Sequence, residues 1–159
     1  MDENLLGKNP FIAARAFPAE ITVLGFNNPW RRKWARAFFQ GSRLRFRRSA
    51  QGVQADQAVA VWGRTSCYEA ARKRRPATLI TLEDGFIRSV GLGADLAQPL
   101  SWVQDDLGIY YDASAPSRLE SILSGTDFPA DLLTRARALR QAILEAGITK
   151  YNLHGQPWR

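Results

Sequence analysis

The sequence predicts an α/β domain with a Rossmann-like, three-layer arrangement: a mostly parallel central sheet covered by helices on both faces. Three observations carry that expectation. "AVAVWG" (58–63) and "TLITL" (78–82) are continuous apolar runs of strand length, as strands buried on both faces must be. The stretch 66–75 between them has helix length and stops at Pro76, which cannot extend a helix. "EITVLGF" (20–26) precedes another helix-length segment, so strand and helix alternate along the chain. Residues 21–25, 58–62 and 78–82 should then be parallel neighbours in one sheet.

The remaining elements follow from local signals. Asn28 followed by Pro29 reads as a cap and a first helical position, giving a helix to about Gln40 that stops at Gly41. Trp30, Trp34 and Phe38 recur at helical spacing and form an aromatic face for the core. "RLRFR" (43–47) alternates like a strand with Leu44 and Phe46 inward. Two short strands are expected at "LSWV" (100–103) and "GIYY" (108–111), joined around Asp105, Asp106 and Gly108. Residues 114–123 predict a helix with Pro116 in its first turn and Gly125 at its end. A longer amphipathic helix over 128–146 places Leu132, Leu133, Ala136, Leu139 and Ile143 on one side, with Gly147 as its stop. Residues 1–19 read as an irregular lead-in, 20–153 as the folded lobe and 154–159 as a tail.

Composition limits the function. At 159 residues the chain is long enough for one self-sufficient core. One cysteine, Cys67, excludes a disulfide framework and any cysteine-based zinc site, and no metal is expected. No apolar run approaches the roughly 18 residues of a membrane span, and the N-terminus lacks a secretory core, so a cytoplasmic protein is expected. The net charge of +7 is concentrated. Between positions 31 and 48 stand Arg31, Arg32, Lys33, Arg36, Arg43, Arg45, Arg47 and Arg48 without an acidic residue. Such density attracts phosphate groups, and Arg31, Arg32, Lys33 and Arg36 are candidates for contact with an anionic lipid surface. A solvated helix face that only confers solubility would look similar.

Carboxylates gather instead in "ITLEDGFIRSVGLGADLAQPLSWVQDDLGIYYDAS" (80–114). Glu83 and Asp84 follow a predicted buried strand directly. Open α/β sheets bind ligands beyond the carboxyl ends of their strands, so the pair marks a candidate catalytic rim. Carboxylates there can act as general acid, general base or nucleophile toward a sugar carbon. A turn-forming Asp84–Gly85 step accounts for part of the same pattern without any chemistry. "GLG" (91–93) lacks the third glycine and the following helix of a dinucleotide fingerprint. Asp105 and Asp106 are adjacent, so on an extended chain they point to opposite faces, and a tight turn explains them better than a metal. His154, the only histidine, has no serine or acid at triad spacing.

The ordered motifs "EDGFIRS", "GIYYD" and "TKYN", with the upstream "LGF" and "VWG", resemble the capsule polysaccharide biosynthesis family of KpsC/LipB type over about residues 20–153. The likeness is greatest to the opening of the second transferase module in those proteins. The resemblance implies one lobe of a GT-B-like retaining β-Kdo glycosyltransferase. Such an enzyme moves Kdo, an acidic eight-carbon sugar, from CMP-Kdo to a phospholipid-linked saccharide acceptor at the inner face of the inner membrane. By this analogy Glu83 is the candidate acid/base, with Asp84 beside it, and Arg88 an anion-binding residue flanked by Gly85 and Ser89. The resemblance implies no cofactor beyond that donor. Family modules continue past "KYN" into a second lobe with the nucleophilic aspartate and a His-Pro motif for the CMP-sugar. One lobe is therefore expected to be inactive alone, needing a second lobe or other capsule assembly proteins.

Two other readings stand beside it. The chain could be a non-catalytic module that holds an acceptor glycolipid or a partner protein. A nucleic-acid binder would use the basic segment 31–48, but no RNA-recognition or helix-turn-helix signature accompanies it, and none is expected.

Overall fold

The computed structural model describes residues 17–92, 95–125 and 127–153. Strands β1 (Glu20–Leu24), β2 (Arg43–Arg47), β3 (Ala58–Trp62), β4 (Thr78–Asp84) and β5 (Trp102–Asp105) form one sheet in the order β2-β1-β3-β4-β5. The first four strands are parallel, and β5 lies antiparallel beside β4. The three strands expected as parallel neighbours are adjacent, with Val23 opposite Ala60 and Ala60 opposite Ile80.

Strand parity builds the three layers. Ile21, Val23, Ala60, Ile80 and Leu82 project to one face, where Ala35 and Phe39 of α1 (Pro29–Phe38) and its flank cover them. Leu24, Val59 and Val61 project to the other, under Tyr68 and Ala71 of α2 (Ser66–Lys73). Each fully buried aliphatic side chain contributes about 1.5–3 kcal/mol, so these two apolar layers hold the sheet. Asn28 caps α1 as expected, its side-chain oxygen accepting the Trp30 amide at 2.8 Å. The aromatic stripe is shifted, however. Trp34 and Phe39 are buried, whereas Trp30 is 55% exposed with the Lys33 ammonium 5.6 Å from its ring. Trp30 sits one turn before the stretch of α1 that lies on the sheet. The lead-in ends inside the fold, since Phe17 packs edge-on against Phe39 at 5.1 Å.

The structure corrects the region after β4. The second short strand, over 108–111, does not form. Asp105, 1% exposed, accepts the Leu107 and Gly108 amides at 2.9 Å and the Arg118 amide at 2.8 Å. This local capture turns the chain where a strand would continue. The first is displaced from 100–103 to 102–105, because residues 100 and 101 bond the loop after β4: Leu100 donates to the Arg88 carbonyl and Gly85 to that of Ser101. The next helix, α3 (Arg118–Gly125), begins four residues later than Pro116 suggested. Ser117 and Glu120 form a capping box there: Glu120 accepts the Ser117 amide and hydroxyl at 2.8 Å, and Ser117 accepts the Glu120 amide at 3.1 Å.

Helix α4 (Ala130–Glu145) ends in a Schellman motif. Gly147, at φ 60°, donates to Leu144, and Ile148 donates to Ile143. Its apolar side is not covered: no α4 residue is buried, and Leu139 is 58% exposed. The expected tail over 154–159, with His154, lies outside the described residues, as do Gly93 of "GLG" and the first 16 residues of the lead-in.

Candidate active-site cleft

The carboxyl ends of the parallel strands border a cleft of about 360 Å³. Its lining includes Arg31 and Trp34 from α1, Trp62 from the end of β3, Asp84 from the end of β4, Trp102 from β5 and Tyr151. Arg88 and Leu92 complete it from the loop after β4. A hollow of about 400 Å³ at the opposite end of the sheet, with Glu20, Asp56 and Thr78 in its lining, lies at the amino ends of strands. Ligand sites of open α/β sheets belong to the carboxyl end, which selects the first.

The acidic pair is divided by the sheet. Consecutive residues of a strand face opposite ways, so Asp84 shares the α1 face with Leu82 while Glu83 faces the α2 side. Asp84 accepts Arg88 Nε at 2.9 Å. Arg88 is 4% exposed, and its Nη1 also donates to Ser89 Oγ at 2.7 Å and the Ala97 carbonyl at 2.9 Å. Its charge is therefore neutralised and fixed in place. Removing one member of such a buried pair costs about 3–5 kcal/mol, because the other is left uncompensated.

Glu83 sits in a second cluster, behind the cleft. One of its oxygens accepts the Asp84 amide at 2.9 Å, and its carboxylate hydrogen-bonds the Tyr111 hydroxyl. Burial, then the Glu83 charge and this hydrogen bond, push the Tyr111 hydroxyl above its ordinary value. Beside it, Arg64 pairs with Asp112 and lies 4.2 Å from the centre of the Tyr68 ring. Hydrogen bonds from the Ser114 hydroxyl and amide, reinforced by Arg64, hold the Asp112 carboxyl below the usual range. The cluster ties the ends of β3 and β4 to the turn after β5.

Gly85 and Ser89 support the cleft from within. Gly85 is buried, and a Cβ there would collide with Ser101 Oγ. Ser89 is fully buried and donates its hydroxyl to the Gly91 carbonyl at 2.6 Å. Of Gly85, Arg88 and Ser89, Arg88 alone lines the cleft beside Asp84.

The four α1 cations have different surroundings. Arg32 donates to the Phe26 carbonyl at 2.7 Å and, with Arg36, lies over the Phe46 ring. Lys33 lies by Trp30, and Arg31 lies 5.8 Å from the Trp62 ring centre, on the cleft.

The aromatic walls and Tyr151 escaped the sequence reading. Parity was the available signal for the walls: Trp62 and Trp102 share a face with Leu82. The Tyr151 segment is laced to the loop after β4. The Arg88 and Ser89 amides donate to the Lys150 carbonyl, the Gly91 amide to that of Tyr151, and the Asn152 side chain to that of Ser89. "EDGFIRS" and "TKYN", some 60 residues apart in the chain, are therefore one structural unit.

Residues 57–157 match the family described as "Capsule polysaccharide biosynthesis protein". The chain belongs to this family. It is 38% identical over 132 residues to the capsule polysaccharide modification protein LipA of Neisseria meningitidis, covering 78% of this chain and 19% of LipA. It is 37% identical over 139 residues to the lipopolysaccharide-processing protein LpsZ of Rhizobium meliloti, covering 79% and 32%. Two solved structures of Thermosulfurimonas dismutans KpsC are similar. The β-Kdo 2,4 transferase superposes with a TM-score of 0.66 at 33% identity, covering 89% of this chain and 46% of that one. The β-Kdo 2,7 transferase gives 0.63 at 32%, covering 79% and 43%. The chain thus spans a fifth to a third of these curated relatives and under half of the transferase structures. Its fold is that of one KpsC GT-B-like lobe.

No helix among the described residues is long and apolar enough to cross a membrane, and none of them cluster as a metal site.

Proposed function

We propose that this chain supplies one lobe of a β-Kdo glycosyltransferase, which transfers Kdo from CMP-Kdo to a phospholipid-linked saccharide. The observation that carries the reading is the cleft at the carboxyl edge, built where the segments bearing "EDGFIRS" and "TKYN" lace together. Family membership and the likeness to two Kdo transferases support it. In this role Arg88 and Asp84 form the rigid floor of the cleft and the tryptophans its walls. Glu83, held by Tyr111 behind the floor, sets the position of the β4 terminus and of Asp84.

The described residues alone offer no free carboxylate in the cleft, since Asp84 is committed to Arg88. Transfer then needs groups from a second lobe across the cleft, and the 159 residues by themselves should be inactive. The test replaces the matching lobe of the T. dismutans β-Kdo 2,4 transferase with residues 17–153 and supplies CMP-Kdo with a Kdo-primed glycolipid. Addition of one Kdo, read by mass spectrometry, is expected from the chimera and not from the 159 residues. A folded chimera without transfer, or robust transfer by the 159 residues, would overturn the reading.

A further inference from the structure

Strand β2 is an open edge of the sheet. Among the described residues it pairs with β1 alone, in an unbroken register from Glu20 opposite Arg43 to Leu24 opposite Arg47. The Arg43 amide donates to the Ala19 carbonyl at 2.7 Å, and the Arg47 carbonyl accepts the Gly25 amide at 3.0 Å. In a parallel ladder alternate residues of a strand bond the same neighbour, so the main chains of Arg43, Arg45 and Arg47 face β1. The N–H and C=O groups of Leu44 and Phe46 point the other way and have no partner among the described residues. Their side chains pack on the α1 face of the core.

The other face of β2 carries a row of charge. Arg43, Arg45 and Arg47 are all exposed and, two residues apart, stand about 6.6 Å from one another along the strand. Among the described residues their counter-charge is one carboxylate: Glu20 lies 3.3 Å from Arg43 and 3.0 Å from Arg45. Arg47 donates to the Gln51 carbonyl at 3.2 Å. Exposed pairs of this kind hold weakly, so the row keeps most of its charge for a partner. Charged side chains on an edge strand are also a device against aggregation. A charge, however, discriminates by sign, whereas the proline or bulge that would bar every strand is absent from β2. A second copy pairing through its own β2 would set arginines opposite arginines, which is destabilising.

We propose that β2 takes an extended acidic segment of a partner protein as a sixth strand of the sheet. The Leu44 and Phe46 main chains supply the ladder bonds, and carboxylates at alternate positions of the segment lie opposite Arg43, Arg45 and Arg47. The same arginines that turn away a second copy select this partner. β1 separates β2 from the strands that line the cleft, so the surface is independent of the transferase reading.

The experiment uses the ¹⁵N-labelled 159-residue chain and a blocked peptide of about seven residues alternating glutamate and threonine. Amide exchange and chemical shifts are read by NMR. Binding should slow exchange of the Leu44 and Phe46 amides and move them downfield, while those of Arg43, Arg45 and Arg47 stay in their bonds to β1. Lysine in place of glutamate should abolish binding. Arg43→Gln/Arg45→Gln should weaken it about fivefold or more with amide dispersion retained. N-methylation of all the glutamates, or of all the threonines, removes alternate N–H groups from the peptide. One pattern should lose binding and the other keep it, since only one set faces β2, and which set it is reports the direction of the added strand.

Glutamate and lysine peptides binding alike, unprotected Leu44 and Phe46 amides at millimolar peptide, unchanged affinity in Arg43→Gln/Arg45→Gln, or equal binding by both methylated forms would each overturn the proposal. A short oligothymidylate that binds the arginine row while the glutamate peptide does not would mark the row as a phosphate-binding surface, and would overturn it likewise.

Discussion

A side chain at Gly85 would begin 2.9 Å from the carbonyl carbon of Ser101 and closer still to its Oγ. Ser101 cannot retreat, because its hydroxyl donates to the Ile87 carbonyl at 2.5 Å and its carbonyl accepts the Gly85 amide. Gly85 has ordinary backbone dihedrals, so the constraint is space and not conformation. Gly85→Ala should therefore cost about 1–3 kcal/mol, as overpacking of a closed interior does. Urea denaturation measures this, and an unchanged midpoint would show that the loop after β4 yields. The residue scale is also where the sequence was least legible. Glu83 and Asp84 read as one acidic pair, yet strand parity sends them to opposite faces and gives each a different partner. Nothing local announces that Tyr111 meets the first and Arg88 the second. The Asp84–Arg88 spacing of four was visible, but only the turn through Gly85 makes it a contact.

At the scale of elements, legibility followed the density of apolar side chains. β3 and β4 were plain because both their faces are buried, which leaves continuous runs. β5 was blurred because Asp105 and the loop after β4 compete with the ladder for its backbone groups. The start of α3 was written in Ser117 and Glu120, three apart, and Pro116 was the more conspicuous but misleading signal. That capping box predicts an acid response. Hydrogen bonds from the Ser117 hydroxyl and amide hold the Glu120 carboxyl below its ordinary value. The unfolded chain then binds the proton more readily than the folded one. The cap's contribution is complete above the unfolded value, near 4.3, and is lost as pH falls through the lower folded one. Exchange of the Ser117 amide should accelerate in acid in the wild type, and Glu120→Gln should flatten that dependence. Burial also separates the helices and strands in their tolerance. Leu82 in β4 is fully buried, so Leu82→Ala should cost about 2–5 kcal/mol. Leu139 in α4 is 58% exposed, so Leu139→Ser should stay within about 0.5 kcal/mol in thermal melts, apart from a small helix-propensity term.

Across the whole molecule, the surplus of 22 basic over 15 acidic side chains is unevenly employed. Arg43 and Arg45 share Glu20 at 3.3 and 3.0 Å, Arg64 and Arg118 have aspartate partners, and Arg88 is sealed in the floor of the cleft. On α1, Arg32 is tied to the backbone and Arg31 borders the cleft, which leaves Lys33 and Arg36 as the exposed cations bound only to aromatic faces. We expect these two to draw the domain toward anionic lipid, where a phospholipid-linked acceptor would be presented. Each such cation is worth about 1 kcal/mol near the surface, so replacing both by glutamine should lower vesicle partitioning about 30-fold. Sedimentation with phosphatidylserine-containing vesicles in low salt reads this directly, with neutral vesicles as the baseline. Attraction of this kind fades as the Debye length shortens from about 30 Å at 0.01 M to about 8 Å at 0.15 M salt. Reversing all four α1 charges would confuse the result, since Arg32 also holds the turn before the helix and Arg31 the cleft. If Lys33→Gln/Arg36→Gln binds anionic vesicles as the wild type does, the lipid role of α1 falls, and its cations serve the fold and the cleft alone.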